Sequence, residues 1–396
     1  MSGTTAQLDV AALRTRFPAL RGDHVHLDNP GGTQVHESVV EAMRDYLLSS
    51  NANLGGHFAT SRASDRVLEQ ARRDVGRLLG ADPGEIVFGA NMTTLTFHVS
   101  RALTRELAAG DEILLTQADH DGNVAPWIAA AEDRGLTVRI ARADPESCLI
   151  DVEDFAAKLS DRTRIAAFNW ASNGAGTISD AAALTALARQ AGAISYVDAV
   201  QYAPHGGIDL HGLGCDFLVC SAYKFFGPHV GVLAAGRELL ERIRPYKVRP
   251  AHEEPPSSSE TGTVNLEGIA GTAAAARYLL EVGVDTLAAY ERGLTARIIE
   301  GLDGIPGVTQ YGTRELDRRV PTVVFTVAGH SPGKVAETLG EAGIYVWDGN
   351  YYALELMQAL GLERHGGAVR VGAVHYNTHE EIDRFLEAVA GCASRR

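Results

Sequence analysis

Two residues near the middle of the chain, Asp198 and Lys224, have side chains whose chemistry fits together. Residues 194–197 form a short apolar segment that ends on Asp198, and residues 217–220 form a second one, followed closely by Lys224. Each segment has the pattern of a buried parallel strand. In open α/β sheets, ligands bind in the crevice at the carboxyl ends of the strands, so we expect both side chains at one pocket.

A lysine and a carboxylate in one pocket suit a particular class of cofactor. A lysine amine forms a Schiff base with an aldehyde, and a carboxylate holds the proton of a basic ring nitrogen. Taken alone, Lys224 is more typical of a solvated lysine at a strand end, and Asp198 of an acid in a turn. The combination with Ser221, Gly227 and Pro228 favours an enzyme site for an aldehyde cofactor.

The composition predicts a two-domain enzyme that acts on small molecules. A chain of 396 residues exceeds the usual size of one hydrophobic core. The net charge of −14 is spread along the chain, which argues against nucleic acid or an anionic membrane as a partner. We expect a cytoplasmic protein, because no stretch has the pattern of a signal peptide or a membrane span. The cysteines have no metal-binding spacing and suggest no disulfide framework; they are Cys148, Cys215, Cys220 and Cys392.

The order of elements predicts an α/β fold. Between residues 86 and 234, strand patterns alternate with helical patterns, which is typical of a mostly parallel, doubly wound sheet. We predict an N-terminal segment over residues 1–22 that packs near the small domain, and a large cofactor-binding domain over 23–265. A linking helix and a small C-terminal α+β domain should occupy 266–396. Residues 250–263, rich in Pro, Ser and Glu, should form an exposed excursion that reaches a neighbouring subunit.

Two further positions could bind anionic groups. The strand at residues 86–88 leads through Gly89 into a helix that should begin near Thr94, and a helix N-terminus reached in this way suits a phosphate. An ordinary capped helix is the alternative. Arg370 interrupts the apolar segment AVRVGAV, and a buried guanidinium is unfavourable unless it is paired. It would bind a carboxylate through two parallel hydrogen bonds, unless it faces water from an edge strand.

Six motifs follow one another along the chain: NMTT, DHDGNVAPW, ASNGAGT, VDAVQYAPH, SAYKFFGPHVGVL and ETGT. Together they resemble the class V, fold-type I enzymes that use pyridoxal 5′-phosphate (PLP), and in particular the cysteine desulfurase-like branch. The resemblance covers nearly the whole chain in the family's order. It implies a large domain with a mostly parallel, seven-stranded-type sheet, a small C-terminal α+β domain, and PLP as the cofactor.

The resemblance also implies roles for individual residues. Lys224 would form the Schiff base, Asp198 would bind the ring nitrogen, and His120 would stack on the ring and carry a proton. Without the resemblance, His120 would be more typical of a loop histidine. Further cofactor-binding positions implied in this way are Thr93, Thr94, Asn173, Gln201, Ser221 and Thr263. Thr263 would reach the phosphate across a subunit interface, which implies a homodimer with shared active sites. Implied substrate-binding positions are Arg370, Asn29, His57 and Tyr352.

The chain departs from the desulfurase pattern at one loop. Cysteine desulfurases carry a cysteine on a mobile loop that accepts sulfur as a persulfide, and here Tyr352 stands in its place. A tyrosine cannot carry a persulfide, because the chemistry requires a thiolate. Trp347 replaces the family's arginine before the loop, and Tyr223 replaces the histidine before the lysine. These changes favour a more aromatic pocket or a different substrate, although Tyr351 and Tyr352 could equally be packing residues.

We therefore expect a PLP-dependent lyase that acts on an amino acid with a leaving group at Cβ, such as cysteine or a cysteine S-conjugate. Lys224 would remove the Cα proton, the β-group would leave, and pyruvate and ammonia would follow without any thiol nucleophile. An aminotransferase or an epimerase is the main alternative, since both use the same lysine and acid. A desulfurase with a non-standard sulfur acceptor is less favoured. A non-catalytic scaffold is also less favoured, because a scaffold has no use for Arg370.

Overall fold

The computed structural model describes residues 8–394. Its α-helices are α1 (Val10–Arg14), α2 (Glu37–Ser49), α3 (Ala59–Leu79), α4 (Met92–Thr104), α5 (Ala125–Arg134), α6 (Val152–Lys158), α7 (Ala181–Gln190), α8 (Leu210–Leu213), α9 (Arg237–Arg242), α10 (Leu266–Val282), α11 (Val284–Asp303), α12 (Pro332–Glu341), α13 (Leu354–Ala359) and α14 (His379–Ser394). Its strands are β1 (Val25–His26), β2 (Ile86–Gly89), β3 (Glu112–Thr116), β4 (Thr137–Ala141), β5 (Thr163–Asn169), β6 (Ile194–Asp198), β7 (Phe217–Ser221), β8 (Gly231–Ala235), β9 (Val308–Tyr311), β10 (Thr322–Val327), β11 (Ile344–Tyr345), β12 (Trp347–Gly349) and β13 (Ala368–Gly372).

The larger sheet has seven strands in the order β2-β8-β7-β6-β5-β3-β4. Strands β7, β6, β5, β3 and β4 run parallel, and β8 is antiparallel to both of its neighbours. Strands β3, β7 and β8 are buried along their whole length, which explains why apolar residues occupy their centres. The predicted α/β fold with a mostly parallel, seven-stranded sheet is confirmed.

A second sheet, of four antiparallel strands in the order β12-β13-β10-β9, lies in the C-terminal part of the chain. Its hydrophobic core includes Leu294, Ile298, Phe325 and Phe385 and is separate from the core around the larger sheet. Val25 and Leu27 also pack into this second core, and β1 pairs with β11. The early part of the chain therefore contacts the small C-terminal sheet, while the predicted boundaries at residues 22 and 265 stay a prediction.

Some elements differ from those predicted. The sequence predicts a helix from about Ser64 to Leu79, whereas α3 begins at Ala59. The earlier start left no signal, because the N-cap residue Phe58 makes no side-chain capping bond. Strand β9 was not predicted, since it is short and none of its residues is buried. No helix within residues 8–394 is both long and apolar enough to cross a membrane.

The stretch at 250–263 is not a wholly exposed excursion, so that prediction is wrong for residues 258–260. The carboxylate of Glu260 forms an ion pair of 2.9 Å with the guanidinium of Arg72 on α3. Its other oxygen accepts a hydrogen bond of 2.9 Å from the backbone N–H of Phe88 on β2. Both charged side chains are buried. The polar composition of the stretch could not reveal a partner 188 positions away.

Candidate active site

The carboxyl ends of β5, β6 and β7 open into a cavity of about 890 Å³, which is closed on the other side by residues 347–352 and β13. This is the location predicted for ligands of an open α/β sheet. The structure brings many of the sequence-predicted site residues together at this cavity. They are Thr93, Thr94, His120, Asn173, Asp198, Gln201, Ser221, Lys224, Tyr352 and Arg370.

Lys224 lies in the turn directly after β7 and is buried. Its Nζ donates hydrogen bonds to the carbonyl oxygens of Pro30 (2.5 Å) and Gly31 (2.8 Å). Burial and the nearby charge of Arg370 lower the pKa of Lys224 well below its ordinary value. A lowered pKa favours the neutral amine, which is the form that attacks an aldehyde carbon.

Asp198 ends β6, and its buried carboxylate accepts a hydrogen bond of 2.8 Å from the backbone N–H of Val200. Burial raises the pKa of Asp198 to about 7, against the opposing effects of that N–H and of Lys224. A cationic group placed against this carboxylate would favour its charged form. The protonated ring nitrogen of a pyridine is a group of that kind.

His120 directly precedes the short 3-10 turn at Asp121–Asn123, before α5, and its ring is held in one orientation. Its Nδ1 accepts a hydrogen bond of 2.8 Å from the backbone N–H of Gly122, so the neutral ring carries its proton on Nε2. Burial, together with the charges of Lys224 and Arg370, lowers the pKa of His120 to about 4. The neutral imidazole therefore presents a flat face and one donor to the cavity.

The neighbouring Asp119 is buried behind this histidine. Its Oδ1 accepts a hydrogen bond of 2.8 Å from Asn123, and its Oδ2 is bonded by Thr116. Burial raises the pKa of Asp119 to about 8, and the nearby charge of Asp198 acts in the same direction. These bonds fix the backbone that carries His120.

The N-terminus of α4, where the sequence predicted either an anion site or an ordinary capped helix, is capped and lies at the cavity. Asn91 caps the helix: its Oδ1 accepts hydrogen bonds from the backbone N–H (2.8 Å) and the hydroxyl (3.0 Å) of Thr94. The Ser221 hydroxyl accepts a bond of 3.0 Å from the N–H of Met92. A Cβ atom at Gly231 would lie 2.5 Å from the Asn91 carbonyl carbon, so only glycine allows β8 to approach this turn. N–H groups and hydroxyls that converge at a helix N-terminus are a suitable donor set for phosphate, so the anion site stays a prediction that this geometry allows.

Arg370 is buried on β13, between β12 and β10, so the alternative of an arginine that faces water from an edge strand is wrong. Its Nη1 donates to the carbonyl oxygen of Asn173 (2.9 Å), and its Cζ lies 4.4 Å from the centroid of the Tyr351 ring. Within residues 8–394 it forms no ion pair, and its buried Nε has no hydrogen-bond partner. Burial lowers its pKa to about 10. A buried guanidinium without a carboxylate partner is suited to bind the carboxylate of a ligand.

Residues 347–352 form the opposite wall. Tyr351 and Tyr352 have φ angles of +52° and +60°, in the left-handed region that costs a non-glycine residue about 1–2 kcal/mol. The carbonyl oxygen of Tyr351 accepts a bond of 2.8 Å from Asn173 Nδ2, and that of Tyr352 accepts one of 2.6 Å from the N–H of Asp121. These two bonds tie the segment to the large sheet across the cavity.

Three sequence-predicted residues lie elsewhere in the described part of the chain. Asn29 is buried and uses its side chain in hydrogen bonds to Asn377, to Tyr376 and to backbone carbonyl oxygens, so it holds two chain segments together. His57 is exposed just before α3. Thr263 is exposed and lines a neighbouring cavity that also includes Thr94.

Several residues that line the cavity were not predicted as site residues, among them Asn91, Phe97, Asn169 and His229. The sequence did contain a signal for Asn91: asparagine is a preferred N-cap residue, and its side chain accepts a hydrogen bond from a backbone N–H in the first turn of the helix. Asn169 ends β5 and lies beside Asp198, which ends the adjacent β6. Its position at a strand's carboxyl end could therefore have indicated a site residue. The ring of His229 stacks on Tyr223 at 4.9 Å, a contact that no sequence pattern indicated.

The polar atoms of the cavity fit a polar cofactor and substrate. Asn169 Nδ2, Asn173 Oδ1 and Arg370 Nε are buried and have no hydrogen-bond partner within residues 8–394. Buried polar atoms in folded proteins are nearly always paired, so these three indicate bonds to a bound ligand. With the helix N-terminus, a carboxylate and an amine, the donor set matches a phosphorylated pyridine aldehyde and an amino-acid carboxylate.

Comparisons with known proteins agree with this chemistry. The family described as aminotransferase class-V matches residues 25–385. The chain belongs to this family. It is 32% identical to the aminotransferase-like protein FGM3 of Gibberella zeae, over 98% of this chain and 99% of that protein. It is also 32% identical to probable cysteine desulfurase 2 of Mycobacterium leprae, over 98% of both chains.

A solved structure extends the likeness to three dimensions. The apo structure of a cysteine desulfurase from Thermococcus onnurineus NA1 superposes with a TM-score of 0.92 at 30% identity, covering 97% of this chain and 98% of that one. The predicted class V, cysteine desulfurase-like family and its PLP cofactor are thus confirmed. The protein is a PLP-dependent enzyme.

Proposed function

We propose that the protein is a lyase that cleaves the C–S bond of cysteine or a cysteine S-conjugate by β-elimination. One observation carries the proposal: the cavity combines an amine, an acid and an unpaired guanidinium, but among the described residues no thiol lines it. The four cysteines are buried elsewhere. Burial raises the pKa of Cys148 to about 11 and that of Cys215 to about 12. A persulfide carrier requires an accessible thiolate, whereas elimination requires none.

Different side chains of the cavity would bind different parts of PLP. The N-terminus of α4, with Thr93, Thr94 and Ser221, would hold the phosphate of PLP. Asp198 would hold the proton of the ring nitrogen, and the flat face of His120 would lie against the ring. When bound, PLP supplies a ring that accepts the electrons released at the substrate Cα.

Two residues act on the substrate in this proposal. The guanidinium of Arg370 would bind the substrate carboxylate through paired hydrogen bonds, which fixes the orientation of the Cα–H bond. Lys224 would take the Cα proton on its Nζ, since its lowered pKa makes the amine available as a base. The C–S bond would then break, its electron pair would leave with the sulfur, and the sulfur would take the proton held by Lys224 to give a thiol. The released enamine takes up water and gives pyruvate and ammonia.

The test supplies the holoenzyme with S-methyl-L-cysteine, an S-alkyl-L-cysteine sulfoxide and L-alanine, each with and without a 2-oxo acid. Pyruvate from the sulfur compounds without a 2-oxo acid supports elimination. Amino transfer that occurs only with a 2-oxo acid would assign an aminotransferase. Loss of optical activity alone would assign an epimerase, and a yellow protein that converts nothing would assign a scaffold.

We also propose a homodimer with shared active sites. Thr263 is exposed and lies outside the cavity of its own chain. It shares a surface cleft with the loop after α2, and in and beside that loop the apolar side chains of Leu48, Leu54 and Phe58 are exposed. Apolar patches of this kind are typical of protein contact surfaces. Sedimentation velocity should give the mass of two chains, and a fully active monomer would contradict the proposal.

A further inference from the structure

We propose that Trp347 and Tyr352 form an aromatic platform that binds an aryl group on the substrate sulfur. The preferred substrates would then be cysteine S-conjugates with a benzyl or phenyl substituent. The inference deepens the proposed C–S lyase activity and rests on it. Trp347 and Tyr352 both line the cavity, and their side chains are 51% and 70% exposed. Large aromatic side chains exposed at a cavity are typical of a binding surface.

The position of Trp347 places its indole beside the reacting groups. Trp347 lies directly opposite Arg370 in the antiparallel pair β12–β13, so both side chains project from the same face of the sheet. A Cβ atom at Gly31 would lie 2.3 Å from the indole Nε1, so the indole sits against the Gly31 backbone. The carbonyl oxygen of Gly31 accepts a hydrogen bond from Lys224. The indole therefore lies next to both the carboxylate-binding arginine and the loop that holds the catalytic lysine.

The position of Tyr352 places its ring on the other side of the opening. Its centroid lies 5.5 Å from that of His120, with the two planes inclined by 38°. The left-handed backbone of Tyr351 and Tyr352 is retained by the bonds from Asn173 and Asp121. Strained backbone persists where surrounding contacts impose it, and it is concentrated at ligand sites. Here it turns the Tyr352 ring toward the cavity.

The polar side chains of the same segment are bonded elsewhere, as for Asn350, or follow Trp347 on the opposite face of β12, as for Asp348. Asn350 Nδ2 bonds the carboxylate of Glu363 at 3.1 and 3.2 Å. The carboxylate of Asp348 lies near Gly333 on α12, 3.3 Å from where a Cβ would stand. The groups that the segment offers to a ligand are therefore mainly aromatic. Arg370 would hold the substrate carboxylate, so a substituent on sulfur would extend toward these rings.

Aromatic rings favour an aryl over an alkyl substituent. Both bury apolar surface, but only an aryl ring gains the stacked or edge-to-face contacts of ring pairs. The cavity of about 890 Å³ lies near the upper end of the range for small-molecule sites, about 300–1,000 Å³. It can accommodate a cofactor together with a substrate larger than cysteine.

The test uses inert probes and the holoenzyme. 3-(Benzylthio)propanoate and 3-(methylthio)propanoate have the carboxylate and the thioether but no amine, so they bind without reacting. Calorimetry should show at least tenfold tighter binding of the benzyl probe. In Trp347→Ala and Tyr352→Ala the benzyl affinity should fall toward the methyl affinity, which should not change. Tyr246→Ala is the control, because this exposed tyrosine does not line the cavity.

Each outcome separates the platform from the lyase activity. Benzyl and methyl probes that bind within twofold of each other in the unaltered holoenzyme would overturn the platform. A cyclohexylmethyl probe that binds as tightly as the benzyl probe would overturn its assignment to aryl groups. Pyruvate formed with equal kcat/KM from S-methyl- and S-benzyl-L-cysteine would overturn the platform and leave the lyase standing. A benzyl preference in binding without pyruvate from any S-conjugate would refute the lyase and support the platform.

Discussion

The two sides of the cavity hold their side chains in different ways. On the side of the seven-stranded sheet, Asp198 and Lys224 follow buried strands and are themselves buried, with short hydrogen bonds to the backbone. On the side of the four-stranded sheet, Trp347 and Tyr352 are exposed, and Tyr352 has a left-handed backbone. Arg370 is the buried exception on that side. From this contrast we infer that the side of the seven-stranded sheet holds the groups that carry out the reaction, and that the side of the four-stranded sheet selects the substrate.

The largest expected effect is on the side of the seven-stranded sheet. Lys224→Ala should lower the rate of pyruvate release by at least about 10²–10⁴-fold, because a positioned base contributes that much. Borohydride treatment should no longer attach PLP to the protein. Lys334→Ala, at an exposed lysine on α12, is the control and should keep full activity. A Lys224→Ala variant within tenfold of the original rate would contradict the assignment.

Under the same sheet, Glu260→Ala should lower the free energy of unfolding by about 3–5 kcal/mol. The substitution leaves the buried guanidinium of Arg72 without its carboxylate and with only the carbonyl oxygen of Ile86 as a hydrogen-bond partner. Glu253→Ala is a matched control: its carboxylate pairs with Lys247 at 2.9 Å, but its side chain is 82% exposed, so we expect about 0–1 kcal/mol. Urea denaturation measures both. Equal losses would show that burial does not distinguish the two pairs.

Asp119 should make the stability of this side depend on pH. Its folded pKa of about 8 is above its unfolded value, so the folded state binds the proton more tightly and stability falls as pH rises through the range from about 4 to 8. Asp119→Asn should remove this loss, so its stability relative to the unaltered protein should rise by up to about 1.4 kcal/mol per pH unit. Urea denaturation at pH 5, 6 and 7 measures the difference. A difference that does not change with pH would refute the shift.

On the side of the four-stranded sheet, Arg370→Lys should lower kcat/KM for S-methyl-L-cysteine by roughly 10–150-fold. Lysine keeps the charge but loses the paired geometry, and hydrogen bonds to charged groups contribute about 1.5–3 kcal/mol. The amide of the same substrate has no carboxylate and should be converted almost equally by both proteins. A similar loss with the amide would indicate that Arg370 acts on the fold rather than on the carboxylate.

The smallest expected effect concerns the backbone of Tyr352. Tyr352→Ala and Tyr352→Gly both remove the ring, but only glycine relieves the left-handed conformation at a φ of +60°. After allowing for the greater freedom of glycine in the unfolded chain, the glycine variant should be more stable than the alanine variant by roughly 0.5–1 kcal/mol. Urea denaturation compares them. An alanine variant of equal or greater stability would show that the segment is not strained.

The same contrast explains what the sequence could predict. The positions of Asp198 and Lys224 followed from local patterns, because the carboxyl ends of parallel strands meet at one edge of a sheet. Glu260 and Arg72 are 188 positions apart, so no local sequence pattern could predict their ion pair. Asn29 was expected to bind substrate, but its side chain bonds Asn377, 348 positions later.

Other site residues depended on the family resemblance. No periodicity or spacing pointed to Thr263 or His57, and the predicted role of Thr263 depends on a second chain. The aromatic replacements at Trp347 and Tyr352 were visible in the sequence, but their exposure and the left-handed backbone of Tyr352 follow from tertiary contacts. Such contacts link residues far apart in the chain, which single-sequence patterns do not encode.

The most direct test of the account is the product formed from L-cysteine. Purified holoenzyme is incubated with L-cysteine in the absence of 2-oxo acids and sulfur acceptors, and the products are identified by NMR and a sulfide assay. β-Elimination predicts pyruvate, ammonia and hydrogen sulfide in equal amounts. Alanine as the product, with the sulfur retained on the protein, would contradict it.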